Sequence, residues 1–487
     1  MKLNLILKSL SLCLLTSFVN SKALNECEEI KAYLGHEVNC EVNKSGQVNS
    51  LTINIDKNST KEQVEKLLSY DTVTNLEYKI NLGFDEYEEE NYTDISFAIS
   101  KLKNLEHLNI IYNKYTNYCT TFCESYYLNT IKKDTLRELR KLKTLEIFGI
   151  KLTKDNIDEI TSLENLEELS MKKCVYEKSI NYKSFKNLKK LSKLTIYKSW
   201  FGFNYSENEE NETYEFPNDL LSNTNSSLKE LDLSYLEMAE IENIPNVEKL
   251  VIGINNLNDS IHLKKLDNLK DLEIEYIPYG PYGAITSPLN VEFPTSNNLE
   301  KLILNSIKLN DETMGKIGSL TNLREIKCIF CEFTISKNKQ SINNLKNLQT
   351  LVMTRETFQG PSYINFDLQL SELDQLVELK IKDFTIGKNT LIEIACLPKL
   401  EMLDVNGSKL YEDSHFDFDP SNWKKSCPSN KTEIVTTTTK VEPTPTSGIN
   451  NNESNNSGAA NTKENCLNKI HNWLNNILQK FKIKKNN

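Results

Sequence analysis

LKNLEHLNI, residues 102–110, places an apolar residue at every third position and then at every second. The change of step is the informative part. Alternate residues share one face of a strand, so Leu108 and Ile110 point one way while His107 and Asn109 point the other. The phrase returns as LENLEELSM (163–171), LKKLSKLTI (188–196), LDNLKDLEI (266–274), LTNLREIKC (320–328), LKNLQTLVM (345–353), LDQLVELKI (373–381) and LPKLEMLDV (397–405). Looser copies lie between and before them: VNSLTI (48–53), VTNLEY (73–78), LRKLKTLEI (139–147), SLKELDL (227–233), IPNVEKLVI (244–252) and NLEKLIL (298–304). No single copy can close a core, but stacked copies bury a continuous one.

The pattern L-x-x-L-x-x-L-x-L resembles the leucine-rich repeat family over roughly residues 48–410. With the third apolar residue as marker, the copies register at Leu51, Leu76, Leu108, Leu145, Leu169, Leu194, Leu231, Leu250, Leu272, Leu302, Ile326, Leu351, Leu379 and Leu403. Several successive spacings are 24 or 25 residues, inside the family range of about 20–29. Gaps of 32, 37, 37 and 30 residues imply insertions. The resemblance implies an α/β solenoid, a horseshoe with a parallel concave sheet and short convex helices. One position departs from the family pattern. Five residues past the marker the family carries Asn, and here Asn stands only at Asn113 and Asn255. Elsewhere that place holds Ile150, Cys174, Ser199, Leu236, Ile277, Ile307, Cys331 or Phe384, which predicts a less regular coil.

Between strands, LTKDNIDEITSL (152–163) and LNDETMGKIGSL (309–320) carry Asp or Asn early and apolar residues at i, i+4 and i+7. Each reads as a short helix with an acidic N-terminal cap.

Met1 to Ala23 has Lys2, an apolar stretch interrupted by Lys8, and a small-residue exit near Ser21. This is the pattern of a secretory signal peptide over 1–21. No other segment is apolar over the length a membrane span needs, so the expectation is a secreted, extracellular chain, soluble or held at the cell surface.

Eleven cysteines fit an oxidising compartment. Cys27 and Cys40 bracket the segment before the first repeat and resemble the cysteine-bearing cap of extracellular leucine-rich repeat proteins, here 22–47. Cys119 and Cys123 could pair locally within an insertion. Cys396 and Cys427 could close the far end, with a C-terminal cap over 416–431 after a solenoid of 48–415. Cys174, Cys328 and Cys331 fall on the inward phase, where cysteine behaves as a small hydrophobe. Eleven N-x-S/T sequons are about what this Asn-rich composition yields by chance.

A net charge of −10 argues against nucleic acid, which requires a basic patch. Acid concentrates in 85–94 and 206–215, read as solvated loops or as an acidic rim. Residues 432–465 are a Thr/Pro/Ser/Asn linker too poor in apolar residues to fold. Residues 466–487 form a basic amphipathic pattern, with Ile470, Trp473, Leu474, Ile477, Leu478 and Phe481 on one stripe. That tail reads as a frayed helix, a membrane-surface anchor or a helix for a partner's groove.

No HExxH, nucleophile elbow, P-loop or dinucleotide turn occurs, and the five histidines share no metal spacing. The sequence therefore points to no catalytic residues, no cofactor and no metal. It points instead to binding through residues one, three and four past the markers: Tyr112, Phe148, Tyr197, Tyr235, Tyr276 and Phe330, with Lys172, Lys173, Lys198, Arg355, Lys380 and Lys382. Such aromatics anchor a protein or glycan partner, or they stack on one another across turns. A structural cell-surface protein attached through stalk and tail is the alternative function.

Overall fold

The computed structural model describes residues within 25–428; the longest internal segments outside the description are 83–93, 115–129, 199–226 and 277–287. Residues 1–429 form one unit and 430–487 a second, none of whose residues is among those described. The signal, linker and tail-helix expectations, both acidic insertions (Asp94 excepted), and Cys119 and Cys123 all fall outside the described residues.

The main unit opens with α1 (Glu26–Leu34), capped by Asn25, whose side chain accepts from the Glu28 amide. The short strand β1 (Cys40–Val42) follows and runs antiparallel to β2 (Val48–Ile55), covering the first edge of a long sheet. From there every strand is parallel to the next: β3 (Asn75–Leu82), β4 (His107–Lys114), β5 (Thr144–Phe148), β6 (Glu168–Tyr176), β7 (Lys193–Lys198) and β8 (Glu230–Leu233). The series continues through β9 (Lys249–Ile254), β10 (Asp271–Tyr276), β11 (Lys301–Asn305), β12 (Glu325–Thr334), β13 (Thr350–Arg355), β14 (Glu378–Lys382) and β15 (Met402–Asp404).

The register is the repeat made visible. Leu51 pairs with Leu76, Leu76 with Leu108, and so on through all the markers to Leu379 with Leu403. Every marker up to Leu379 is at most 3% exposed. The insertions of the longer turns therefore leave the strand register untouched. Burying one such leucine is worth about 2 kcal/mol, and the solenoid repeats that gain at each turn.

Parallel strands require a return path, and here it is short. Some turns return through helices: α2 (Lys61–Leu67), α3 (Lys154–Ile160), α4 (Asp311–Gly318) and α5 (Lys388–Ala395). The helices expected at 152–163 and 309–320 are α3 and α4. Their caps are Thr153 and Asn310, with the acids Asp155, Asp311 and Glu312 in the first turn rather than at the cap. Glu159 on α3 turns inward at 1% exposure and accepts from the Leu136 amide at 2.9 Å. Glu393 on α5 repeats the contact with the Leu370 amide at 2.7 Å.

A second row of side chains binds turn to turn. The Asn four before the marker, in LxNL or SNNL, donates from Nδ2 to a backbone carbonyl of the preceding turn: Asn104 to Asp71, Asn165 to Arg140, Asn268 to Pro245, Asn298 to Asp267, Asn322 to Asn297 and Asn347 to Thr321. Ser227 does the same with its hydroxyl to Lys189 at 2.8 Å. The coil thus keeps an asparagine ladder, displaced from the position where the resemblance placed it. At that position stand buried residues: Ile150, Cys174, Ile307, Cys331 and Phe384 are at most 2% exposed. The thiols of Cys174 and Cys331 donate to the carbonyls of Ile147 and Leu304 one turn earlier, at 3.5 and 3.3 Å. The irregularity expected from the missing Asn is therefore compensated.

Disulfides Cys27–Cys40 and Cys396–Cys427 span Cα distances of 5.8 and 5.0 Å. The first ties α1 to β1, and the second ties the end of α5 to the short helical turn Trp423–Ser426. Cys174, Cys328 and Cys331 are free thiols buried in the core.

Candidate binding face

One face of the sheet lies on the core; the other is open. The open face carries the residues one before, one after and three after each marker. The residue four past the marker is different, and the expectation that it faces outward is corrected here. Where the strand continues, alternation returns that residue to the core. Tyr112 is only 6% exposed, and Tyr276 packs against the core cluster. Burial raises both phenols above their usual pKa. Neither ring is an outward contact, because both share the phase of Leu108 and Leu272.

In other turns the same position bends through the left-handed region, at the end of the strand or within it: Gly149 (φ 73°), Lys173 (51°), Ser306 (54°), Phe330 (53°), Asp383 (66°) and Gly407 (79°). This bend carries the next residue back into the core. Gly149 is further constrained, since a Cβ there would lie 2.5 Å from the Tyr112 carbonyl oxygen. Glycine, serine and aspartate suit such a site. Phe330 does not, and it is also 54% exposed.

The remaining predicted residues divide by what holds them. Lys172 pairs with Glu146 at 3.2 Å. Lys173 places its ammonium 5.3 Å from the centre of the half-buried Phe148 ring. Lys380 pairs with Asp404 at 2.9 Å. Arg355 donates to the Asp383 carbonyl at 3.4 Å and lies 5.9 Å from the Phe384 ring centre, so it braces a turn. Lys382 is exposed. Tyr197 and Lys198 belong to β7, but their side chains, like Tyr235, lie outside the described residues.

The structure adds features that the sequence reading missed. At the residue two before the marker, opposite charges alternate from turn to turn. Lys143 meets Glu106 at 2.6 Å, Glu248 lies 2.9 Å from both Lys229 and Lys270, and Arg324 meets Glu300 at 3.5 Å. Hydrogen bonds from Lys270 and Lys229 hold the Glu248 carboxyl down at about 2. One residue further on, Lys193 pairs with Glu230 at 3.5 Å and Lys301 with Glu325 at 3.4 Å. In the middle of the open face the pattern fails. Burial, then Glu273 and Asp232, raise the pKa of Glu275.

The two ends of the open face differ. From β11 to β13 its outward phase carries Ile303 and Ile329, both half-buried, and Val352, which is buried. From β2 to β7 it holds a groove of about 500 Å³ lined by Thr52, Glu77, His107, Asn109, Glu146 and Ser170, among others. Among the described residues no group of three or more His, Cys, Asp or Glu side chains is placed to hold a metal ion, and no helix is long and apolar enough to cross a membrane.

No family model and no curated protein matches the chain. Solved structures do. A Leptospira interrogans leucine-rich repeat protein aligns at 18% identity over 72% of this chain and 82% of its own, with a TM-score of 0.38. An internalin from Listeria monocytogenes aligns at 16% identity over 83% of this chain and 93% of its own, with a TM-score of 0.39. The TLR13–ssRNA13 complex aligns at 18% identity over 75% of this chain and 55% of its own, with a TM-score of 0.47. These likenesses concern the fold. The repeated phrase, the marker-to-marker register and the parallel sheet with short returns establish it independently: the chain is a leucine-rich repeat solenoid of the α/β class.

Proposed function

We propose that the chain is an extracellular binding module that recognises a protein partner through the open face of its sheet, with Phe330 as the anchor. The observation that carries this reading is Phe330 itself. It occupies a left-handed position taken elsewhere by small or polar residues and by one lysine, and it exposes more than half of a large ring. A residue that adds strain without filling the core is accounted for by a contact outside the chain. The half-buried Ile303 and Ile329, on the outward phase of the neighbouring strand and of the same strand, supply an apolar surround, as expected around a hot spot. The signal pattern and the two disulfides support an extracellular site of action. The alternating charge rows leave no continuous basic stripe among the described residues, which favours protein over nucleic acid.

The test is capture from cell-surface proteins by the full chain, compared with Phe330→Gly and with Phe97→Ser, a change at an exposed ring away from this face. A partner lost with the first variant and kept with the second supports the reading. A partner retained by both removes Phe330 as the anchor.

A further inference from the structure

The pairing of opposite charges from turn to turn breaks down in one place. It lies on the flank of the coil, in the turn segments that lead into β4, β5, β6 and β7: residues 101–104, 137–141, 162–165 and 186–190. These segments stack in order. Lys141 donates to the side-chain oxygen of Asn104 at 2.7 Å, Asn165 to the Arg140 carbonyl at 2.7 Å, and Lys190 to the side-chain oxygen of Asn165 at 2.6 Å. At the ladder position, two of the four segments therefore carry lysine in place of asparagine. Each of these lysines reaches a neutral amide oxygen, which leaves its charge unanswered.

Six cations on this flank are exposed: Lys101, Arg140, Lys141, Lys186, Lys189 and Lys190. Among the described residues none of the six meets a carboxylate at ion-pair distance. Arg140 and Lys141 sense the charges of Glu138 and Glu106, but Lys103 at 3.2 Å and Lys143 at 2.6 Å already hold those two acids. Further along the coil the corresponding Lys346 is answered by Glu372 at 2.7 Å. The unanswered cluster is thus local, in a chain whose net charge is −10. Like charges gathered on one surface draw an anion from solution.

The spacing narrows the kind of anion. Glu164 and Asn165 occupy the middle segment and divide Arg140 and Lys141 from Lys189 and Lys190 by two turns, about 10 Å at the spacing of neighbouring strands. A nucleic acid duplex, with a charge about every 1.7 Å along its axis, would set phosphates against Glu164. Every exposed side chain of the four segments is polar, so an acidic peptide finds no apolar anchor. Two turns come close to the length of two sugar units in an extended chain. An acid group on every second sugar would then meet each cation group and leave a neutral sugar opposite Glu164. We propose that this flank binds an anionic polysaccharide that carries one acid group per disaccharide. The site is separate from the Phe330 contact and does not depend on it.

The test is titration calorimetry of the full chain with oligosaccharides of hyaluronan and of kappa-carrageenan, which carry a carboxylate and a sulfate, respectively, once per disaccharide. Duplex RNA, polyglutamate and neutral N-acetylchitohexaose serve as the other arms. The expected result is binding of at least one of the two acidic sugars, more tightly than any other arm and weakening steeply as salt is raised. The pair Arg140→Glu with Lys141→Glu, and the pair Lys189→Glu with Lys190→Glu, should each weaken it about tenfold. All four side chains are exposed, so both variants should melt as wild type does. Lys409→Glu with Lys424→Glu makes the same change of charge at exposed sites in the last turn and cap, and should bind as wild type does. Phe330→Gly should also leave the sugar bound, which separates this site from the protein contact. Binding of neither acidic sugar, binding no tighter than that of RNA or polyglutamate, or an equal loss in the Lys409 and Lys424 variant would overturn the proposal.

Discussion

Replacing Phe330 with glycine removes a large ring from a solenoid, an operation that is ordinarily severe. At Phe384, only 2% exposed, the equivalent truncation should cost about 3–5 kcal/mol. Phe330 is different on three counts. Its side chain is 54% exposed, so less than half of a transfer energy of at most about 3 kcal/mol is forfeited, or about 1.4 kcal/mol. Its φ of 53° costs a non-glycine residue about 1–2 kcal/mol, which glycine recovers. The added freedom of glycine in the unfolded chain costs about 0.5–1 kcal/mol. The sum runs from about zero to about 1.4 kcal/mol of destabilisation. Urea unfolding of wild type and Phe330→Gly, followed by far-ultraviolet circular dichroism, should give nearly coincident midpoints. Affinity for a captured partner should meanwhile fall by about 2 kcal/mol or more. A stability loss near 3 kcal/mol would mean that the ring packs as part of the fold, and the reasoning would fail.

Two further outcomes follow from the same geometry. Leu272→Ala, at a marker that is 1% exposed and paired with Leu250 and Leu302, should cost about 3 kcal/mol; proteolysis should then cut first in the neighbouring turns, and cleavage no faster than in wild type would contradict the nearest-neighbour picture. Glu275 is held above its ordinary pKa by burial and by Glu273 and Asp232, so its protonated form is the better tolerated in the fold. Its destabilising effect is full above the folded pKa and vanishes below the unfolded one, about 4.3. Glu275→Gln should therefore raise the melting temperature at pH 7 and leave it unchanged below pH of about 4; a decrease at pH 7 would reverse the assignment.

How much of this was legible in the sequence depended on what each residue answers to. The markers were legible because each leucine answers to the same core at every turn, and all of them are found in register. The asparagine ladder is printed in the repeated phrase itself, as Asn104, Asn165 or Asn347, and not at the family's position five past the marker, where only Asn113 and Asn255 stand. Its partner is a carbonyl about a turn away in the chain, which no local pattern displays. The charge rows were legible in principle, as Glu106, Lys143 and Glu167 or Lys229, Glu248 and Lys270, once the markers are aligned as rungs. The placing of Tyr112 and Tyr276 went wrong for a definite reason. The residue four past the marker has two fates, inward where the backbone stays extended and left-handed where it bends. Gly149 and Gly407 signal the bend, whereas Lys173 and Phe330 do not.

The central claim is that the open face, at its Phe330 end, is where a partner sits. Hydroxyl-radical footprinting of the chain with and without its captured partner tests this most directly. Oxidation of Phe330 should drop on binding, while Tyr33 and Phe97, exposed rings elsewhere on the solenoid, should oxidise as before. Protection of Tyr33 or Phe97, with Phe330 still oxidised at its free rate, would contradict the account.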